Sequence, residues 1–217
     1  MNRFKIVIAY DGSEYAGWQI QPNGVTIQGK IELALARLTG EKVKIHGSGR
    51  TDQGVHARRQ FAHFDLSQKL PSLVMVRALN GLLPPDIRIL SAGPVPASFH
   101  ARRSVKIKEY RYFIRNARVM SPFLRRYRAQ VTERLDVDAM REASAFIVGQ
   151  HDFAAFTANP NRAVESTIRD LLCLKVMKNG SEVVIVAKAN GFLYKMVRSL
   201  VGFLIRVGEG SIAPREA

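Results

Sequence analysis

Strand signals alternate with helix signals along this chain, and that alternation most restricts what it can fold into. Phe4 to Tyr10 reads as a strand running into the polar turn Asp11-Gly12-Ser13. Ile27, Ile31, Ala34, Leu35 and Leu38 then recur at helical spacing, between a capping Thr26 and a terminating Gly40. Val43 and Ile45 begin a strand that leads into Gly47-Ser48-Gly49-Arg50, and Gln60 to Leu66 reads as another. Pro71 opens a second helix carrying Leu73, Val76, Leu79 and Leu83.

The later part repeats this grammar. Val105 to Ile114 is a strand in which Tyr110 and Tyr112 share a face. Asp136 caps a helix with Val137, Met140, Ala143, Ser144 and Ile147 inward, closed by Gly149. Leu171 to Met177 and Glu182 to Ala189 flank Asn179-Gly180, a tight hairpin signal. From Gly191 a last helix buries Leu193, Met196, Val197, Leu200 and Leu204, with Lys195, Arg198, Gly202 and Arg206 on its opposite stripe. The expected class is α+β: two similar α/β halves, residues 1–104 and 105–217, sharing a mainly antiparallel sheet with an active-site groove between them.

Charge narrows the partner. Thirty-three Lys and Arg against eighteen Asp and Glu leave +15, which implies a polyanion such as nucleic acid, or an anionic membrane surface. No window approaches the roughly 18 apolar residues of a membrane span, and Arg3 and Lys5 interrupt the N-terminal apolar stretch. The single cysteine, Cys173, excludes an intramolecular disulfide and a thiolate metal cluster, and fits a reducing cytoplasm. His46, His56, His63, His100 and His151 match no common zinc spacing, and the Pro-Cys-x-x-Cys of a cytidine deaminase is absent. Neither a helix-turn-helix nor a zinc-finger signature supports a DNA-binding regulator.

The chemistry concentrates in Gly47-Ser48-Gly49-Arg50-Thr51-Asp52-Gln53-Gly54-Val55-His56. A strand here ends in a loop presenting one carboxylate between a cation and glycines. Gly49 and Gly54 permit backbone angles closed to other residues, and Arg50 can engage a phosphate or stack on a base. The Lys-Ser ending of a nucleotide-phosphate loop is missing.

Taken whole, this run resembles the active-site motif of the tRNA pseudouridine synthase A family. The resemblance continues at Tyr10-Asp11-Gly12-Ser13-Glu14-Tyr15-Ala16-Gly17-Trp18-Gln19, at Phe99-His100-Ala101-Arg102 and at Lys108-Glu109-Tyr110-Arg111-Tyr112. It extends through His151-Asp152-Phe153-Ala154-Ala155-Phe156 and Asn190-Gly191-Phe192-Leu193-Tyr194-Lys195-Met196-Val197-Arg198. It implies an isomerase that converts uridine to pseudouridine in the anticodon arm of tRNA, at positions 38–40, without cofactor or metal. By the same carry-over Asp52 is the essential carboxylate, as nucleophile or as base at the ribose. Arg198 is its cationic partner, Tyr110 stacks on the target base, and Arg50 helps hold that base out of its stack. Gly49, Thr51 and His56 belong to the same motif and are expected at the substrate. Arg58, Arg102, Arg125 and Arg126 belong to basic clusters expected to line a tRNA surface. A homodimer holding one tRNA is likewise implied by the resemblance.

The family pattern normally continues beyond Val207-Gly208-Glu209-Gly210 with another helix and a last strand, which nothing in this sequence matches. That departure keeps a second expectation open, a non-catalytic RNA-binding module on the same scaffold.

Overall fold

The computed structural model describes residues 1–158 and 166–216. The chain divides into two compact units, Met1–Val105 and Lys106–Ala217, each with a sheet, two helices and its own apolar core. The class is α+β, as expected.

In the first unit, β1 (Asn2–Tyr10) is central, antiparallel to β3 (Ala57–Leu66) on one side and β4 (Ile87–Pro94) on the other. The two-residue β2 (His46–Gly47) pairs with β3, giving the order β2-β3-β1-β4. Phe4, Ile6, Ile8 and Tyr10 are all buried, as strand alternation requires. Helix α1 (Ile27–Thr39) is capped by the Thr26 side chain, which accepts from the Gly29 N–H. It stops at Gly40, whose φ of 75° suits a residue without a Cβ. Helix α2 (Ser72–Leu82) buries Met75 and Leu79. Leu73, expected inward, is 61% exposed because the buried positions Met75, Leu79 and Leu83 put it on the opposite side of the helix.

In the second unit the order is β6-β5-β9-β8-β7. β5 (Lys108–Asn116) runs antiparallel to β9 (Glu182–Ala189), which pairs with β8 (Ile168–Asn179). β6 (Ala129–Val131) adds parallel to β5, and β7 (Gly149–Asp152) completes the other edge. Asp136 caps α3 (Val137–Ile147) by accepting from Asp138 and Ala139 N–H groups at 3.0 Å. Its inward residues are the five expected.

Three details depart from expectation. Hydrogen bonding groups the strands as two sheets, one in each unit, where a single shared sheet was expected. The hairpin turn is Gly180-Ser181, one residue later than expected, because Asn179 stays in register with Glu182 and Gly180 takes the left-handed φ of 57°. Helix α4 (Met196–Gly208) begins at Met196 rather than near Gly191, since Lys195 adopts φ 56° and interrupts the helical path. No helix among the described residues is long and apolar enough to cross a membrane.

Candidate active site

The loop that carries Asp52 leaves β2 and re-enters the sheet at β3. Its position is fixed by a closed set of hydrogen bonds that begins with a buried polar pair. Tyr10 ends β1 with its hydroxyl inside the unit, donating to Gln60 Oε1 at 3.0 Å. The Thr51 hydroxyl lies 2.8 Å from that phenol oxygen, and with the Tyr10 proton committed to Gln60, Thr51 is the donor. Gln60 Nε2 donates to the Gly49 carbonyl at 3.1 Å. Thr51, Tyr10, Gln60 and Gly49 thus form a relay clasping the loop on both sides of Arg50. Tyr10 and Gln60 are 4% and 8% exposed, where an unsatisfied polar group costs roughly 1–3 kcal/mol, so loosening any member penalises the rest.

The Asp11–Trp18 segment braces the same loop. Trp18 N–H donates to the Thr51 carbonyl at 3.1 Å, while the carbonyls of Gly17 and Trp18 receive the first N–H groups of α1. The indole, 2% exposed, lies flat against Gly47, where an added Cβ would fall 2.7 Å from Trp18 Nε1. A Cβ on Gly17 would meet the Thr51 carbonyl oxygen at 2.6 Å, and one on Gly12 would overlap the Val55 carbonyl. These glycines let two backbones touch. Asp11 Oδ1 accepts from the Ser13 N–H and hydroxyl. Tyr15 donates to Asp86 at 2.7 Å; burial, then that bond, push its phenol pKa up and keep it a donor.

On this seat Asp52 is half-buried, its carbonyl accepting from Val55 N–H at 3.2 Å across a turn in which Gly54 takes φ 74°. Gly49 contributes its carbonyl, which accepts from Gln60 Nε2. Arg50 projects as an exposed side chain beside this turn. His56 Nδ1 accepts from Gly12 N–H at 3.1 Å and lies 3.0 Å from Asp11 Oδ1. One nitrogen cannot accept from the first and donate to the second at once, so the ring state selects between them. Gly49, Thr51, Asp52 and His56 are therefore brought together, and Arg58 follows as an exposed residue on β3.

Arg102 lies elsewhere in this unit. His100 Nδ1 accepts from the N–H groups of Arg102 and Arg103 and shapes their turn. Ala101 N–H donates to His63 Nδ1 at 3.2 Å. Six ladder steps separate His63 from Ala57 on β3, roughly 20 Å. The rings of His46, His63 and His100 cluster, with centroids 4.7 to 6.0 Å apart. Burial, then neighbouring positive charge, hold His63 down to about 4 and also lower His46. No group of three or more His, Cys, Asp or Glu side chains among the described residues could hold a metal ion.

The remaining expected residues belong to the second unit. Tyr110 sits on β5 opposite Ala187, its ring perpendicular to that of Phe192 at a 5.1 Å centroid distance. Beside it Glu109 accepts from Lys188 at 3.0 Å and from Arg111 at 2.7 Å, which in that order pull its carboxyl below the ordinary range. Phe192 opens the segment that leads into α4, and Arg198 is exposed in that helix's first turn. A cation there opposes the helix dipole, and the first turn holds no acidic residue. Lys195, at φ 56° and ψ 8°, is the one left-handed non-glycine among the described residues. Arg125 and Arg126 are exposed on the segment between β5 and β6.

Gln60 and Phe192 carried no functional expectation from sequence. A glutamine at an inward position of a strand, in phase with Ala62, Phe64 and Leu66, is the signal that could have found the first.

The loop thus holds the half-buried Asp52 carboxylate on a glycine-containing turn, in a chain of strong positive charge. The chain belongs to the tRNA pseudouridine synthase family, whose sequence profile matches residues 6–102 and 143–217. It is 48% identical over 216 residues to the tRNA pseudouridine synthase A of Brevibacillus brevis, covering 100% of this chain and 88% of that protein. It is 46% identical to the enzyme of that name from Geotalea uraniireducens, over 99% of this chain and 87% of the relative. The Exiguobacterium enzyme is 44% identical, over 100% and 87% respectively.

Proposed function

We propose that this protein isomerises uridine to pseudouridine in tRNA, in the anticodon arm at positions 38–40, and that Asp52 is the group that does the chemistry. The reaction breaks the N1–C1′ bond, turns the base and forms a C5–C1′ bond; C5 gives up its proton and N1 takes one up, so product and substrate are isomers. No redox change occurs and no group leaves, so one carboxylate acting at the ribose as nucleophile or base is sufficient in kind. The supporting observation is the bracing of the Asp52 loop. Two glycine contacts, a buried tryptophan and a four-residue relay fix the loop from Gly47 to Val55 that carries Asp52, a degree of fixation expected of a reacting group rather than of a solvated turn.

Around that group the reading assigns roles by motif. Tyr110 stacks on the flipped base, with the Phe192 ring perpendicular beside it. Arg198 supplies positive charge, and Arg50 holds the extruded base. Arg58, Arg102, Arg125 and Arg126 contact phosphates, as a surface reading RNA by shape requires. Work on tRNA by a homodimer in the cytoplasm completes the reading, with sedimentation as the check on assembly.

The decisive experiment is tritium release from tRNA transcripts labelled at uridine C5. Wild type should release label, and Asp52→Asn should lose about three orders of magnitude or more, roughly 4 kcal/mol of barrier, with tRNA affinity nearly unchanged. A mild loss would remove Asp52 from the chemistry. No release by either protein, with tight tRNA binding, would leave an RNA-binding module without turnover.

A further inference from the structure

We propose that the segment of residues 117–128 is a preformed platform on which an unpaired nucleotide of the RNA stacks against Phe123, with its neighbouring phosphates drawn to Arg118 and Arg125. The inference rests on the tRNA reading above and deepens it by naming a contact away from the Asp52 chemistry.

Both feet of the segment are tied down. Ala117 N–H donates to the Val131 carbonyl at 3.1 Å, and Gln130 Nε2 returns bonds to the Ala117 and Arg118 carbonyls at 3.1 and 2.9 Å. At the far foot, Arg128 Nε donates to Glu182 at 2.6 Å while its guanidinium covers the Phe113 ring at 4.4 Å. Between the feet two turns follow, Leu124 N–H to Ser121 O at 3.0 Å and Tyr127 N–H to Leu124 O at 2.9 Å. This local bonding holds apolar side chains out in water: Phe123 is 88% exposed and Val119 is 78% exposed. A loop tip gains nothing for its own unit by displaying a phenylalanine, so an external partner is the natural beneficiary.

Charge selects that partner. Residues 117–128 include four arginines and no acidic residue. An exposed aromatic ring among cations is the combination that binds single-stranded nucleic acid, because every base has a face to stack and every nucleotide a phosphate to pair. A two-fold contact with a second copy through this tip would bring the same arginines together and repel. An A-form duplex keeps its bases stacked inside, which leaves an unpaired nucleotide as the fitting occupant.

The test uses the full chain with three probes: an unmodified tRNA transcript, an oligouridylate single strand and a blunt RNA duplex. Phe123→Ala should weaken oligouridylate binding roughly 5- to 100-fold, the range for losing one base stack. Phe123→Tyr, which keeps the ring face, should hold affinity within about twofold, and duplex binding should not change. On tRNA, Phe123→Ala should raise KM with kcat little altered, because the ring touches no reacting atom. Its salt slope should match wild type, whereas Arg118→Gln should lower the slope by about one. Unchanged oligouridylate and tRNA affinity in Phe123→Ala would overturn the proposal. A shift towards monomer in sedimentation at unchanged RNA affinity would overturn it in favour of a second copy. Wild type that binds no tRNA would defeat the tRNA reading itself, and this inference with it.

Discussion

The two units hold their functional residues in different ways. In the first, the Asp52 loop touches the rest of its unit through backbone-to-backbone contacts at Gly12 and Gly17, an indole packed on Gly47 and a buried hydroxyl–amide relay. In the second, the Tyr110 ring stands perpendicular to that of Phe192, and Arg198 is exposed beyond a left-handed Lys195. Bond-making at a ribose carbon fails when a carboxylate moves by an ångström. The attraction between a guanidinium and a polyanion declines only as the inverse of distance. Rigidity is thus concentrated where the proposed chemistry is sensitive to position, and charge is placed where position matters less.

The largest effect that can break this contrast comes from two glycines. Gly12→Ala puts a methyl group into the Val55 carbonyl, so the Asp52 loop must shift. A kcat loss of about 100-fold is expected, with tRNA affinity nearly retained. Gly202→Ala on α4 meets nothing within 4 Å; it should leave kcat unchanged and stabilise by roughly 0.5–1 kcal/mol. Chemical denaturation separates a misplaced loop from an unfolded unit. Equal kcat in the two variants would remove the loop's rigidity from the mechanism.

Next in size is an acid weakness that His63 gives the first unit. His63 is 2% exposed and held down to about 4 from an ordinary 6.5. As pH falls through 6.5 the unfolded chain takes up a proton that the folded unit refuses. Stability present above that pH is therefore lost progressively until pH 4, and no further below it. The shift corresponds to about 3 kcal/mol. Hydrogen exchange at pH 7 and pH 4.5 should show β1 and β3 amides losing protection relative to β8 and β9. In His63→Asn, whose amide oxygen can still accept from Ala101 N–H, the differential loss should shrink to the smaller part that His46 supplies.

Much of this organisation was legible in the sequence because it is written locally. Thr26 with Gly40, and Asp136 with its inward stripe, mark α1 and α3 because capping and helical periodicity need only neighbouring residues. The Asp52 run was legible as a motif, and its companion at Tyr10–Gln19 was visible without its purpose. Nothing local says that Gly12 must pass against Val55 or that Tyr10 must reach Gln60, since those requirements arise across some forty to fifty residues. β4 escaped notice for a related reason. It follows Pro84-Pro85 and buries only Ile87 and Ile89, leaving Leu90 half exposed, so its alternation is too short to read. The start of α4 was misplaced because apolar residues continue back through Leu193 while the backbone does not stay helical.

That backbone break yields the smallest and sharpest test. A left-handed residue with a Cβ costs roughly 1–2 kcal/mol, which glycine avoids. Lys195→Gly and Lys195→Ala both remove the charge, and they differ only in that Cβ. Lys195→Gly should therefore be the more stable by about 1 kcal/mol in urea unfolding, the extra freedom of its unfolded chain taking back part of the gain. Both should lose the same increment of salt-dependent tRNA binding. If charge placement is all that the first turn of α4 supplies, the two variants share one kcat. A kcat for Lys195→Gly tenfold below that of Lys195→Ala, at higher stability, would mean the strained backbone aims Arg198. The second unit would then be as dependent on geometry as the first.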